Sequence, residues 1–130
     1  ARLYAYLYQN TNKQYAILHA LDGYDEISLT GDFKVIDNKG EHYYTVAQLG
    51  FEPINPEAIS GGDTVEEAGK IFMDILNGEG NDIQQNVVLS NAAIAIETFN
   101  PDRAFADCYY EAEESLLGKK ALSSFKKLIN

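Results

Sequence analysis

The stretch QYAILHALDGYDEIS, residues 14–28, joins a short apolar run to two neighbouring carboxylates. Residues 14–18 are rich in β-forming side chains, so they predict a strand covered on both faces. Asp22 and Gly23 then favour a turn of the backbone. In an open α/β sheet, ligands collect beyond the carboxyl ends of the strands, where Asp25 and Glu26 are expected to lie. Within the α/β fold that the whole chain predicts, this stretch therefore places a candidate site directly after the strand.

Asp25 and Glu26 offer hard oxygen ligands, which are typical of Mg²⁺ sites. Magnesium commonly keeps several waters and is held by one or two carboxylates together with the phosphates of a substrate. The alternative is a solvated acidic turn that binds nothing. Because oxygen ligands follow no sharp spacing rule, the local pattern leaves both interpretations open.

Several segments carry a resemblance to a known family. His19–Ser28 resembles the H-x-x-x-G-[LY]-D-E-[IL]-S segment of the anthranilate phosphoribosyltransferases. Further matching segments are Gly61-Gly62-Asp63 before a helix, Val88-Leu89-Ser90-Asn91-Ala92-Ala93, and Glu111–Leu122. The loop at residues 50–56 departs from the family's usual P-E-D-F-G wording. The resemblance spans nearly the whole chain, but it covers only the C-terminal part of such an enzyme.

The resemblance implies a function for the carboxylate pair. Members of the family transfer phosphoribosyl from phosphoribosyl pyrophosphate to anthranilate in tryptophan biosynthesis, and Asp25 and Glu26 would hold the Mg²⁺ that neutralises the departing pyrophosphate. Residues 1–130 would form the C-terminal part of a nucleoside phosphorylase/phosphoribosyltransferase-like catalytic domain. The N-terminal helical domain and the glycine-rich phosphate-binding loop would lie upstream. We expect the fragment alone to be inactive, and the full-length parent to be a homodimer through that N-terminal domain.

Other functions stay open at this level. A pyrimidine nucleoside phosphorylase-like relative would share the architecture, and most of its substrate-reading residues would lie upstream. A non-catalytic paralogue could have kept the fold and lost the activity, either to bind nucleic acid or to remain a silent module. A titration with DNA at low salt would detect the nucleic-acid-binding form.

Composition restricts the partners. The chain has 130 residues, 45% of them hydrophobic, which is enough for one core, and its net charge is −10. Such a charge repels phosphate backbones and anionic lipid, so we expect no nucleic acid and no membrane partner. The lack of a long apolar stretch or a signal core favours the cytoplasm. The single cysteine, Cys108, lies at helical spacing among apolar residues and is interpreted as a buried structural thiol.

The remaining patterns complete an α/β prediction: a partly parallel (mixed) sheet with a β hairpin excursion, packed by helices. The hairpin is centred on Asn38-Lys39-Gly40. Leu3, Tyr6 and Leu7 recur at helical spacing without a preceding cap, which favours a chain that begins inside a helix. Further helices are predicted to start at Asp63 or Thr64, at Asn81 and at Asn100, with a last one after Gly118. Asn91 falls within an apolar helix, so its amide is expected to hold a neighbouring loop by hydrogen bonds.

Overall fold

The computed structural model describes residues 1–129 as helices packed against one small sheet. The elements in chain order are α1 (Arg2–Tyr8), β1 (Ala16–Ala20), β2 (Phe33–Asp37), β3 (Gly40–Tyr44), α2 (Val65–Leu76), α3 (Asp82–Phe99), α4 (Phe105–Leu117) and α5 (Lys120–Ile129). Two 3₁₀ turns, Val46–Leu49 and Pro56–Ile59, lie between β3 and α2. The predicted α/β class is confirmed.

The sheet has the order β1-β2-β3, and both of its ladders are antiparallel. The hairpin between β2 and β3 lies where the sequence predicts it. Its turn is stabilised by the Asp37 carboxylate, which accepts hydrogen bonds from the Lys39 and Gly40 amides at 2.7 and 3.1 Å. The expected partly parallel arrangement is corrected, since residues 1–129 contain no parallel ladder. A parallel pair needs a crossover, usually helical, whereas the link from β1 to β2 holds no helix and simply reverses the chain.

The main core lies where the sheet meets α3. It is formed by Ala20, Ile27, Leu29, Phe33, Val35, Val46 and Ile94. Phe33 has no exposed surface, and its ring stacks on the facing Tyr44 of β3 with the centroids 5.5 Å apart. Two of the core residues, Ile27 and Leu29, belong to the loop after β1. The candidate site is therefore attached directly to the core.

Truncation of Phe33 tests this core. Phe33→Ala should lower the free energy of unfolding by about 3–5 kcal/mol, because it removes a fully buried ring and leaves a cavity. Urea unfolding followed by circular dichroism measures the change. Tyr43→Ala is the matched control, since the Tyr43 ring lies on the same hairpin and is 61% exposed. A loss for Phe33→Ala no larger than that for the control would contradict the assigned core.

The α3 helix packs along α4, and its segment 87–96, in which only Ser90 and Asn91 are polar, is typical of a central helix. Leu89 of α3 joins Ala112 and Leu116 of α4 in a second apolar cluster. Cys108 is fully buried on α4, and burial raises the pKa of its thiol, which keeps it protonated. The structural interpretation of this cysteine is confirmed.

The helix ends follow the sequence in most places. Thr64 and Glu67 form the capping box expected at the start of α2, and Asn81 caps α3. The expected start at Asn100 is wrong: Asn100 ends α3, and α4 begins at Phe105 without a side-chain cap. Gly118 ends α4 as predicted, although the residue that adopts a positive φ (61°) is Lys119.

Some apolar surface stays uncovered in residues 1–129. Neither α1 nor α2 has a buried residue. The exposed apolar side chains on these helices and on α5 include Leu3, Tyr6, Leu7, Val65, Phe72, Leu128 and Ile129. No helix within residues 1–129 is both long enough and apolar enough to cross a bilayer.

Candidate functional site

The candidate site is the loop that joins β1 to β2, residues 21–32, which we call the site loop. Asp25 and Glu26 lie in it side by side, and both are exposed. The expectation that they follow the strand in a loop is confirmed, although the strand itself is Ala16–Ala20 rather than 14–18. The carboxylates therefore stand at the carboxyl end of β1.

Backbone hydrogen bonds close the base of the site loop. The Leu21 amide donates to the Asp32 carbonyl at 2.8 Å, and the Ala20 amide donates to the Tyr24 carbonyl at 3.1 Å. Gly23 adopts a φ of 107°, a conformation that L side chains rarely take, which explains the glycine in the turn. The loop thus leaves and re-enters the sheet at fixed points.

The Asp22 side chain is a structural member of the loop. Its Oδ2 accepts a hydrogen bond from the Thr30 hydroxyl, which also lies 2.7 Å from the Ser28 hydroxyl. Gly31 leaves room for this carboxylate, since a Cβ atom there would lie 3.0 Å from Asp22 Oδ2. Sequence reasoning assigned Asp22 only to the turn and missed Thr30. Ser28 and Thr30 are hydroxyl residues two positions apart, and this spacing was the signal in the sequence for a local hydrogen-bond network.

The middle of the site loop is buried and anchored to α3. Ile27, Ser28 and Leu29 are each at most 2% exposed. The Ile27 amide donates to Asn91 Oδ1 at 3.0 Å, while Asn91 Nδ2 donates to the carbonyls of Ile27 at 2.8 Å and Val87 at 2.9 Å. The predicted role of Asn91, holding a neighbouring loop, is confirmed, and the loop that it holds is the site loop.

The chemistry of the donor set fits a magnesium ion that is shared with a substrate. Within residues 1–129, the carboxylates of Asp25 and Glu26 take part in no hydrogen bond or ion pair, so their oxygens can accept a ligand. The same residues contain no group of three or more His, Cys, Asp or Glu side chains able to hold a metal. A cage made only of protein ligands is therefore absent from this part of the chain, whereas one or two carboxylates completed by phosphates and water would suit Mg²⁺.

A separate cavity of about 160 Å³ lies at the other end of β1, between the hairpin turn and the end of α3. Ala16, Asp37, Tyr44 and Glu97 are among its lining residues. Burial raises the pKa of the Glu97 carboxyl, and burial together with the nearby Glu97 raises the pKa of Tyr44. Asp25 and Glu26 do not line it, so this cavity is distinct from the candidate site.

Curated sequence relatives match almost the whole of this chain. It is 50% identical to the anthranilate phosphoribosyltransferase of Christiangramia forsetii over 131 residues, which cover 98% of this chain and 38% of that protein. It is 45% identical to the anthranilate phosphoribosyltransferase of Cytophaga hutchinsonii over 129 residues, 99% of this chain and 39% of that protein. The chain thus spans less than two fifths of the length of these curated relatives.

Solved structures share its fold. The anthranilate phosphoribosyltransferase from Saccharomyces cerevisiae in complex with PRPP and Mg superposes with a TM-score of 0.74 at 21% identity, over 85% of this chain and 32% of that one. The enzyme from Thermus thermophilus gives a TM-score of 0.72 at 22% identity, over 86% of this chain and 33% of that one. At such identities the likeness establishes the fold.

The resemblance seen in the sequence is supported by these relatives. A family model described as "Glycosyl transferase family, a/b domain" matches residues 1–122, almost the whole chain. The chain therefore belongs to this glycosyl transferase family, as a portion of its a/b domain.

Proposed function

We propose that this chain is the magnesium-binding portion of an anthranilate phosphoribosyltransferase. The observation that carries the proposal is the pair of exposed carboxylates, unpartnered within residues 1–129, on an anchored loop of a chain 50% identical to a relative of that name. Asp25 and Glu26 would hold Mg²⁺, the cofactor that accompanies PRPP in the structure of the yeast protein. The substrates would be phosphoribosyl pyrophosphate and anthranilate.

The reaction forms a bond between the amine nitrogen of anthranilate and the anomeric carbon of the ribose, breaks the bond from that carbon to pyrophosphate, and releases one proton of the amine to solvent. When bound, Mg²⁺ supplies positive charge that offsets the charge gathering on the leaving pyrophosphate. The nucleophile is the amine of anthranilate itself, and the one cysteine of the chain, Cys108, is buried and protonated. Asp25 and Glu26 would bind the Mg²⁺, and the site loop fixes the position of the two carboxylates. Positioning and electrostatics are thus the contribution of these residues.

A chimera tests the proposal. Residues 1–130 of this chain would replace the matching stretch of the Christiangramia forsetii protein, which aligns over 131 residues. We expect Mg²⁺-dependent formation of phosphoribosyl anthranilate and pyrophosphate. The recipient protein with the same stretch deleted is the negative control. A folded chimera that forms no phosphoribosyl anthranilate, or forms it equally well without Mg²⁺, would contradict the proposal.

The proposal includes two further expectations from the sequence. One is a homodimer formed through a part of the parent that lies outside this chain, and the other is a cytoplasmic location. Size-exclusion chromatography of the full-length parent with light scattering measures the first. A monomeric parent with full activity would contradict it.

A further inference from the structure

We infer that Asn91 is a positioning residue for the carboxylate pair: it sets the place of Asp25 and Glu26 by holding both backbone polar groups of Ile27. The inference rests on the proposed function, because it assigns Asn91 a task at the same magnesium site. Asn91 would touch neither metal nor substrate. It would act through the backbone of the residue that follows Glu26.

The geometry is a paired hydrogen bond across 64 residues of sequence. Asn91 Oδ1 accepts from the Ile27 amide at 3.0 Å, and Asn91 Nδ2 donates to the Ile27 carbonyl at 2.8 Å. The side chain thus presents to Ile27 the donor and acceptor that a neighbouring strand would present. A third hydrogen bond, from Nδ2 to the Val87 carbonyl at 2.9 Å, fixes the amide on α3. Both backbone polar groups of Ile27 are therefore tied to the central helix of the fold.

Loss of the hydrogen bonds between Asn91 and Ile27 would displace the carboxylates of Asp25 and Glu26. Ile27 is completely buried, so its amide and carbonyl would lose their partner in a place where water compensates poorly. The loop could restore those hydrogen bonds only by moving its backbone toward solvent. Because Glu26 is directly bonded to Ile27, such a movement would shift the metal ligands. Groups that orient metal ligands from behind typically change metal affinity or activity by about 10–100-fold when they are removed.

The other anchors of the site loop do not duplicate Asn91. Asp22 and Thr30 hold each other within the loop, and the Leu29 carbonyl accepts from the Ile54 amide at 3.0 Å. None of these contacts engages the backbone of Ile27. Asn86 offers a matched comparison: it is also half-buried on α3, but its Oδ1 accepts from the Tyr109 hydroxyl at 2.8 Å, on the α4 side.

The test uses the chimera with Asn91→Ala, Asn91→Asp and Asn86→Ala. The Mg²⁺ concentration that gives half-maximal turnover, with phosphoribosyl pyrophosphate and anthranilate saturating, should rise about 10-fold for Asn91→Ala. Asn86→Ala should leave it unchanged, although it also loses a hydrogen bond of α3. Asn91→Asp has the same shape and keeps the acceptor for the Ile27 amide, but it sets an acceptor oxygen against the Ile27 and Val87 carbonyls, so it should also raise that Mg²⁺ concentration. A purely structural role would lower the melting temperature of both alanine variants without separating their Mg²⁺ dependence.

Hydrogen exchange gives a readout that does not depend on catalysis. Peptides covering residues 21–32 should exchange faster in Asn91→Ala than in the unmodified chimera or in Asn86→Ala. Normal Mg²⁺ dependence and unchanged exchange in folded Asn91→Ala or Asn91→Asp would overturn the inference alone. An unmodified chimera whose turnover ignores Mg²⁺ would overturn the proposed function, and this inference with it.

Discussion

Replacing Asp25 with Asn and Glu26 with Gln together should lower the turnover of the chimera by about 10³-fold. Both substitutions keep the size of the side chain and remove its charge, and both side chains are exposed, so the site loop should keep its fold. A metal that offsets charge on a leaving group contributes several kcal/mol to catalysis, and each 1.36 kcal/mol corresponds to a factor of about ten in rate. Steady-state assays over a range of Mg²⁺ concentrations measure the effect.

The control for this prediction is a second adjacent carboxylate pair. Glu113→Gln with Glu114→Gln removes the same amount of charge from α4, away from the site loop. It should leave the turnover and its Mg²⁺ dependence unchanged. Equal melting temperatures for the two double variants would show that the difference lies in chemistry and not in folding. Wild-type turnover in Asp25→Asn/Glu26→Gln at every Mg²⁺ concentration would sink the assigned role of the pair.

The 130-residue chain by itself should show no turnover with anthranilate, phosphoribosyl pyrophosphate and Mg²⁺. The site loop provides a place for the metal, but the chain must also receive phosphates. The glycine turn before α2 does not provide a phosphate-binding site, because its amides are already occupied. Glu67 Oε2 accepts hydrogen bonds from the Asp63 and Thr64 amides at 2.7 and 3.3 Å. With two carboxylates and no substrate phosphates, most of the magnesium coordination falls to water, so binding should be weak.

The measurement is an anthranilate fluorescence assay on the purified chain, with the chimera as the positive control. Far-ultraviolet circular dichroism of the same sample should show the helical signal expected from α2 to α5. Turnover by the folded chain at about 10 s⁻¹, an ordinary enzyme rate, would contradict two claims. One is that this chain lacks a binding site for the substrate phosphates, and the other is that the remainder of the parent completes the site.

Local chemistry allowed much of the fold to be predicted. The hairpin at Asn38-Lys39-Gly40 and the capping box of Thr64 and Glu67 follow from residues within a few positions of one another. The need of Asn91 for a partner follows from a polar amide inside an apolar helix. The candidate carboxylates followed from their place after a predicted strand, and the family followed from short motifs whose order along the chain is visible without any structure.

The tertiary structure decided what depends on residues far apart in the sequence. The pairing of β1 with β2 is antiparallel because the chain reverses through the site loop, and no local pattern distinguishes that from a parallel crossover partner. Leu29 takes a φ of 60° while its side chain is 1% exposed, a conformation that the sequence would assign to glycine. Burial in the core outweighs the local backbone preference there. The amide of Asn91 needed some partner, but only packing α3 against the loop decided that the partner is Ile27, because hydrogen-bonding capacity is encoded locally and the identity of a partner 64 residues away is not.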